Sequence, residues 1–545
     1  MLGLMQHQPL LISSLIEFAS LQHGDTEIVS RRIEGDIHRT TWGGVAARAR
    51  QVANAIDAER LEFGSRVATL AWNGYRHLEL YYGVSGSGRV LHTINPRLHP
   101  DQLAWIVGHA EDSIVCFDLS FVALVQAIHA RCPSVRKWIA LCDADRLPPD
   151  TGIPGLSSYE DWIAPQPAAY DWPSFDENTA SGMCYTSGTT GNPKAALYSH
   201  RSTLLHAYAV SLPDAMGLSA RDTVLPVVPM FHVNAWGLPY TTALTGAKLV
   251  FPGPALDGKS VFELMEAEQV TFAGGVPTVW QALLAHLDGH GLRFSTLRRT
   301  VIGGSACPPA MIAAFRETYG VDVLHAWGMT ELSPLGTVCT LKRKHLGLPA
   351  DAQDALRARQ GRAIFGIDMH ILDAGGRRLP WDGRSAGELV VKGPWVARDY
   401  FKNEGASPLV HDASGCSWFP TGDVATIDAD GFLQITDRSK DLIKSGGEWI
   451  SSIDIENIAA AHPGVALAAC IGVAHPKWDE RPILVALRRP DSAVSREELL
   501  AFYEGKTAKW QIPDDVVFVD SMPLGATGKI VKAALRTRFR DHRLP

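Results

Sequence analysis

Ten consecutive residues, Tyr185-Thr186-Ser187-Gly188-Thr189-Thr190-Gly191-Asn192-Pro193-Lys194, hold the densest phosphate-handling chemistry in the chain. The hydroxyls of Thr186, Ser187, Thr189 and Thr190, with Gly188 and Gly191, make a loop rich in donors. Such a loop wraps phosphates through backbone N–H groups and hydroxyls. The apolar Met183 and Cys184 ahead of it suit a strand, and Ser199 and His200 open a helical run through Leu204, Leu205 and Tyr208. It is not the common nucleotide-binding P-loop, because no Gly-Lys-Ser/Thr follows and Lys194 comes after Pro193.

Four more charged segments follow in order: Trp327-Gly328-Met329-Thr330-Glu331, then Thr421-Gly422-Asp423, then Asp437-Arg438-Ser439-Lys440-Asp441 with Ile443-Lys444-Ser445-Gly446-Gly447-Glu448, and last Gly525-Ala526-Thr527-Gly528-Lys529. Taken with the phosphate loop, they resemble the adenylate-forming superfamily of acyl-CoA synthetases, luciferases and peptide-synthetase adenylation domains. The likeness runs from about Thr26 to Arg536. The strings 91–96, 228–236 and 446–451 resemble bacterial medium- and long-chain fatty-acid–CoA ligases and methylmercaptopropionate–CoA ligases.

The resemblance implies an ATP-dependent acid–CoA ligase that forms an acyl-adenylate and then a thioester. A carboxylate must attack the α-phosphate of ATP, so cations and N–H donors must offset the repulsion of two anions. By this likeness Thr186, Ser187, Thr189 and Thr190, with Gly188 and Gly191, hold the β- and γ-phosphates, and Lys194 is a mobile loop residue of the nucleotide site more than a fixed clamp. Gly304, Ser305, Ala306, Trp327, Gly328, Met329 and Thr330 surround the nucleotide, and Asp423 accepts the ribose hydroxyls. Arg438 reaches the ribose or phosphate. Glu331 and Thr186 hold Mg²⁺, and Lys529 bridges carboxylate and α-phosphate. His232, Val233, Trp236, Gly304, Gly328, Met329 and Pro334 line the acid pocket, with further walls from 274–277 and 303–306. Trp236 is read either as a gate to the acyl tunnel or as packing. His232 is read as a positioning group for carboxylate or thiol, or as a general base. Both are expected on a helix start after Pro229. Ser445, Gly446, Gly447 and Glu448 would line the coenzyme A tunnel after the C-terminal lid turns about Lys440.

Two departures from the family pattern stand out. Ala195 replaces the usual Gly after Lys194, which is expected to stiffen the loop. Trp327 replaces the usual Tyr, keeping a stacking ring for adenine but losing the hydroxyl. Because Glu331, Asp423, Arg438 and Lys529 are all present, a non-catalytic adenylate-binding protein is disfavoured.

The elements that must position these residues read as α/β. Short apolar runs at 67–72, 114–117, 138–141, 223–228, 249–251 and 300–302 suit buried strands, and 260–269, 278–287 and 309–319 have helical spacing. Alternation of this kind favours a large multi-subdomain N-terminal region with largely parallel sheets. After the charge run at 437–441 come strands at 466–473 and 483–487 and helices at 453–461 and 496–503, enough for a small mobile α+β domain. The expected division is an N-terminal domain 1–436, a hinge 437–441 and a C-terminal lid 442–545. Ser14 and Glu17 read as a capping box opening a helix ended by Gly24, and the Pro/Gly-rich 148–167 reads as a surface connection.

With 545 residues the chain exceeds one hydrophobic core. Lys+Arg total 51 against Asp+Glu 58, a formal charge of -7, which argues against a nucleic-acid or anionic-membrane binder and leaves at most peripheral membrane contact. Its 8 cysteines are scattered without a Cys-x-x-Cys pair, as for buried thiols in a reducing compartment. No leader, membrane span or peroxisomal address is read, so the expected location is cytoplasmic. The partners expected are a small carboxylic acid, ATP and coenzyme A, and the resemblance implies a homodimer.

Overall fold

The computed structural model describes residues 1–545 except 2, 187–191, 404, 439, 446–447, 491, 526–528 and 545. The chain is mixed α/β, with a large N-terminal region and a smaller C-terminal domain. A seven-stranded sheet has the order 156–158, 137–140, 112–117, 66–70, 90–93, 180–185, 195–199, parallel except for the last pair. A nine-stranded sheet has the order 362–363, 335–338, 322–328, 299–302, 272–275, 223–226, 248–251, 27–31, 37–41, parallel through its middle. The helix Tyr75–Gly86 touches strands of both sheets, and all of its residues are buried. A helix covered on every side explains why no polar stripe marks it.

The remaining sheets are mostly antiparallel. One joins Asp368–Leu372, Gly387–Lys392, Val410–His411, Ser417–Ile427 and Leu433–Arg438. The other joins Glu448–Ile450, Ile443–Ser445, Asp479–Arg488, Val465–His475 and Asp515–Phe518. That last sheet has its own apolar clusters, around Ile455, Cys470, Leu484 and Tyr503 on one side and Ile471, Ile483, Val485 and Leu535 on the other.

The buried strands and helices expected from periodicity form at those places, within a residue or a few of the expected ends. Three segments hold more than their local pattern shows. The first helix is Ile12–His23, opening before Ser14, whose hydroxyl donates back to Leu11 O at 2.6 Å instead of capping. Segment 148–167 is not only a connection: it carries the edge strand Leu156–Ser158 and the helix Tyr159–Ile163, whose Tyr159, Trp162 and Ile163 are buried. Asp437 of the charge run is 1% exposed and accepts from Ser452 N at 2.6 Å, tying the strand Leu433–Arg438 to the helix Ser452–Ala460. Seven cysteines are buried, while Cys416 is exposed. Among the described residues no helix is long and apolar enough to cross a membrane.

Candidate active site

Four adjacent parallel strands of the nine-stranded sheet, 223–226, 272–275, 299–302 and 322–328, end on one side. Their carboxyl ends feed directly into 227–236, Val276 and Pro277, 303–306, and 329–334. Ligands of open α/β sheets bind in the crevice outside such ends. The four expected wall segments of the acid pocket are therefore neighbours because their strands are neighbours.

At the crevice the indole of Trp236 is 8% exposed and lies against three glycines. A Cβ on Gly274, Gly303 or Gly304 would come within 3.9, 3.6 and 3.8 Å of its ring. The same Cβ on Gly304 would lie 3.6 Å from Cε of Lys529, so the lysine of the small domain reaches over this ledge. Burial, then the charge of Arg438, pushes the Lys529 ammonium down to about 8, with Asp423 acting in the opposite direction. His232 is pushed down to about 3 by burial, with the Lys529 charge adding to it. A lysine that is cationic at neutral pH and a neutral imidazole thus face the same space.

Asp423 and Arg438 meet because they are cross-strand partners in the antiparallel sheet. Arg438 Nε lies 3.4 Å from Asp423 Oδ1, and Trp327 Nε1 donates to Asp423 Oδ2 at 2.9 Å. Asp423 is 5% exposed, and burial raises its carboxyl above the usual range while Arg438 and Trp327 pull it back. Trp327 therefore does more than keep a stacking ring: its N–H holds the carboxylate. Gly328 is fixed by a close approach, since a Cβ there would sit 2.0 Å from Pro334 O. Gly304 and Ser305 are exposed beside this group, Ala306 and Met329 are part-exposed, and Pro334 is buried.

Glu331 is 6% exposed and accepts from Tyr400 Oη at 2.6 Å, and its carbonyl accepts from Ala397 N at 2.7 Å. Thr330 is held through its carbonyl by Tyr198 Oη at 2.7 Å. The ammonium of Lys194 sits 5.0 Å above the Tyr400 ring. Tyr400 and Tyr198 were not legible as site residues, because each matters only through a partner distant in sequence, Glu331 and Thr330.

The hairpin Ala180–Tyr185 with Ala195–Ser199 carries the phosphate segment. Thr186 N donates to Lys194 O at 2.8 Å and Lys194 N to Thr186 Oγ1 at 3.3 Å, closing the base of the loop. Ser187, Gly188, Thr189, Thr190 and Gly191 lie outside the described residues, as do Gly446 and Gly447. Ala195 corrects an expectation: it belongs to the strand, opposite Tyr185, with its methyl buried among Val90, Ala110 and Met183.

Segment 229–237 corrects another. No helix starts there; Val233, Asn234, Ala235, Trp236 and Gly237 take positive φ of 47°, 51°, 47°, 58° and 78°, and the α-helix opens only at Leu238. Each such non-glycine residue costs roughly 1–2 kcal/mol, so the surroundings must impose this left-handed turn. Of the coenzyme A candidates, Ser445 accepts from Arg481 Nη1 at 3.0 Å within the small domain, and Glu448 is exposed. Lys440 is part of a turn, its carbonyl accepting from Arg536 Nη2 at 3.3 Å.

Comparison with known proteins places the whole chain. The pattern of the AMP-binding enzyme family matches residues 16–401, and that of the AMP-binding enzyme C-terminal domain matches residues 454–529. The chain is 54% identical over 541 residues to a 3-methylmercaptopropionyl-CoA ligase of Ruegeria pomeroyi, covering 99% of each. It is 50% identical over 541 residues to a medium-chain-fatty-acid–CoA ligase of Ectopseudomonas oleovorans, covering 99% of this chain and 98% of the relative. The structure of an anthranilate CoA ligase in complex with anthranoyl-AMP superposes with a TM-score of 0.85 at 24% identity, covering 97% of this chain and 98% of that one, a likeness of fold.

Proposed function

Since the chain belongs to the AMP-binding enzyme family, we propose that it is an AMP-forming acid–CoA ligase acting on medium- or long-chain fatty acids. The observation that carries the chemistry is the convergence of Lys529, Arg438, Asp423 and Trp327 beside the Gly304 ledge. A cation and a nucleotide-binding carboxylate stand where an acid and an α-phosphate would meet. Asp423 takes the ribose hydroxyls, Trp327 stacks on adenine, and Lys529 lowers the repulsion between carboxylate and α-phosphate. His232, neutral at physiological pH, orients the carboxylate as a hydrogen-bonding group; an imidazole pushed down to about 3 is a poor base.

Glu331 offers a carboxylate and Thr186 a hydroxyl to Mg²⁺, hard oxygen donors suited to that ion. Among the described residues no group of three or more His, Cys, Asp and Glu could hold a metal, which fits an ion held mostly by substrate phosphates. Mg²⁺ would neutralise phosphate charge there.

The second half-reaction places the coenzyme A thiol where Lys529 stands, so the small domain turns about Lys440 within 437–441 and brings 445–448 to the crevice. What supports this is that Lys529 is inside while Ser445 pairs within its own domain. A cytoplasmic homodimer completes the reading, and sedimentation velocity measures the dimer.

One observation favours a second reading of the acid, a short thioether acid such as methylmercaptopropionate. Trp236 already lies against Gly274 and Gly303, so a short tail asks less movement of the ring than a long one. Coenzyme A-dependent AMP formation across acids of increasing length, with methylmercaptopropionate and aryl acids included, decides. No AMP with any acid overturns the ligase reading.

A further inference from the structure

The left-handed turn 233–237 aims His232 and Trp236 into the crevice, yet only Gly237 among its residues favours such a backbone. Asn tolerates it; Val, Ala and Trp do not. Something outside the turn must therefore hold it. At its far end a Cβ on Gly237 would lie 2.8 Å from the ring of His206, whose Nε2 accepts from Leu335 N at 3.1 Å.

At the near end one side chain of the turn reaches across to its surroundings. Asn234 is 7% exposed, and its Oδ1 lies 3.3 Å from Tyr81 Oη and 3.9 Å from Cys184 Sγ. The Tyr81 hydroxyl also reaches Met230 O at 2.6 Å, just ahead of the turn, and Cys184 Sγ lies 2.9 Å from Thr93 Oγ1. Backbone N–H groups of Val233 and Asn234 face the same sulfur. Tyr81 and Cys184 are 0% and 1% exposed. Cys184 stands two residues before Thr186, on the strand that leads into the phosphate loop.

We infer that Asn234 is a positioning residue: its carboxamide pins the left-handed turn to Cys184 and Tyr81, and so sets where Trp236 stands and how long an acid tail the crevice admits. This rests on the reading of the crevice as an acid pocket. Its tail preference is then set from a residue that touches no substrate.

Three variants separate backbone from side chain. Asn234→Gly keeps the left-handed backbone but removes the oxygen, Asn234→Asp keeps both, and Asn234→Ala keeps neither. In Asn234→Gly the ratio of kcat/KM between a long and a short acid should shift about fivefold, the factor for one ordinary net hydrogen bond. Asn234→Asp should stay near the parent ratio, and Asn234→Ala should shift at least as far as Gly. Hydrogen exchange of the peptide spanning 230–240 is read in parallel and needs no activity. It should quicken in Asn234→Gly and stay slow in Asn234→Asp. Unchanged exchange in Asn234→Gly overturns the pin whatever reaction the protein performs. Faster exchange with an unchanged acid ranking overturns its role in selectivity, and absence of AMP from the parent protein with every acid counts against the ligase reading alone.

Discussion

Trp327 Nε1 donates to Asp423 Oδ2 at 2.9 Å, joining the end of a strand in the nine-stranded sheet to the neighbouring antiparallel sheet. The bond fixes one carboxylate oxygen while Arg438 lies 3.4 Å from the other. A tyrosine hydroxyl is not needed to hold this carboxylate when an indole N–H does so.

Trp327→Phe should keep a ring for adenine but release Asp423. The KM for ATP should rise about tenfold, matching the ~1.5 kcal/mol lower end for a hydrogen bond to a charged group. Burial already raises the Asp423 carboxyl, and Trp327 opposes that rise. Its loss therefore raises the carboxyl further, and the acid limb of kcat/KM for ATP should move to higher pH. Steady-state kinetics between pH 5 and 8, with 2′-deoxy-ATP beside ATP, measure both effects. An unchanged preference for the ribose hydroxyl would remove Trp327 from the account.

Lys529 should serve adenylation alone. Lys529→Ala is expected to abolish adenylate formation and to leave thioester formation from supplied acyl-adenylate largely intact. The sign of the pH effect follows from its ammonium being pushed down to about 8. Below that pH the charge is present; above it the charge is lost, while an unperturbed lysine would keep it to about 10.4. Adenylation kcat/KM, which reports the free enzyme, should fall as pH rises through about 8. The thioester step should not, and Lys529→Arg should lose the falling limb. Equal loss of both half-reactions in Lys529→Ala would sink the two-arrangement scheme.

Much of this was legible in sequence, for a physical reason. Strands such as Arg299–Ile302 and helices such as Pro277–His290 carry their period locally, and Glu331 follows directly on the strand Asp322–Gly328. The antiparallel sheet of 368–438 was not read, although it supplies both Asp423 and Arg438, because its strands are short or interrupted by polar turns. The turn at 233–237 was illegible because its conformation comes from Tyr81, Cys184 and His206, all distant in sequence. Tyr400 was missed for the same reason: its hydroxyl matters only once Glu331 is placed 2.6 Å away.

Tyr400 yields a prediction of its own. Groups that orient a metal ligand typically change metal affinity about 10–100-fold when removed. Tyr400→Phe loses the bond to Glu331 but keeps the ring beneath the Lys194 ammonium. The Mg²⁺ concentration for half-maximal adenylation should rise about tenfold, while Tyr400→Leu should add a defect at Lys194. A Mg²⁺ titration at fixed ATP that is identical for Tyr400→Phe and the parent would show the hydroxyl to be idle.

Proline at Lys440 tests the pivot. The ring fixes φ near roughly -65° and should resist rotation of the small domain. In the arrangement described here Lys529 already sits over Gly304, so adenylation needs little motion. Pyrophosphate release should survive in Lys440→Pro while acyl-CoA formation falls steeply. Rapid-quench measurement of the two half-reactions separates them, and an unimpaired overall rate would place the pivot elsewhere.

The boldest expectation concerns Trp236. Its indole lies against Gly274, Gly303 and Gly304, and Lys529 Cε approaches the same point over Gly304. If the ring bars the route of a longer tail, Trp236→Ala opens that route permanently. Longer acids should then gain over shorter ones in kcat/KM, each further buried methylene contributing up to ~0.8 kcal/mol. Overall kcat should fall if the ring also braces the carboxylate of the acid. If the ring is only packing, the same change should cost roughly 3–5 kcal/mol of stability and lower activity for every acid alike. Thermal unfolding measured beside a series of acids from short to long distinguishes the two, and a large drop in Tm with an unchanged length preference would end the gate.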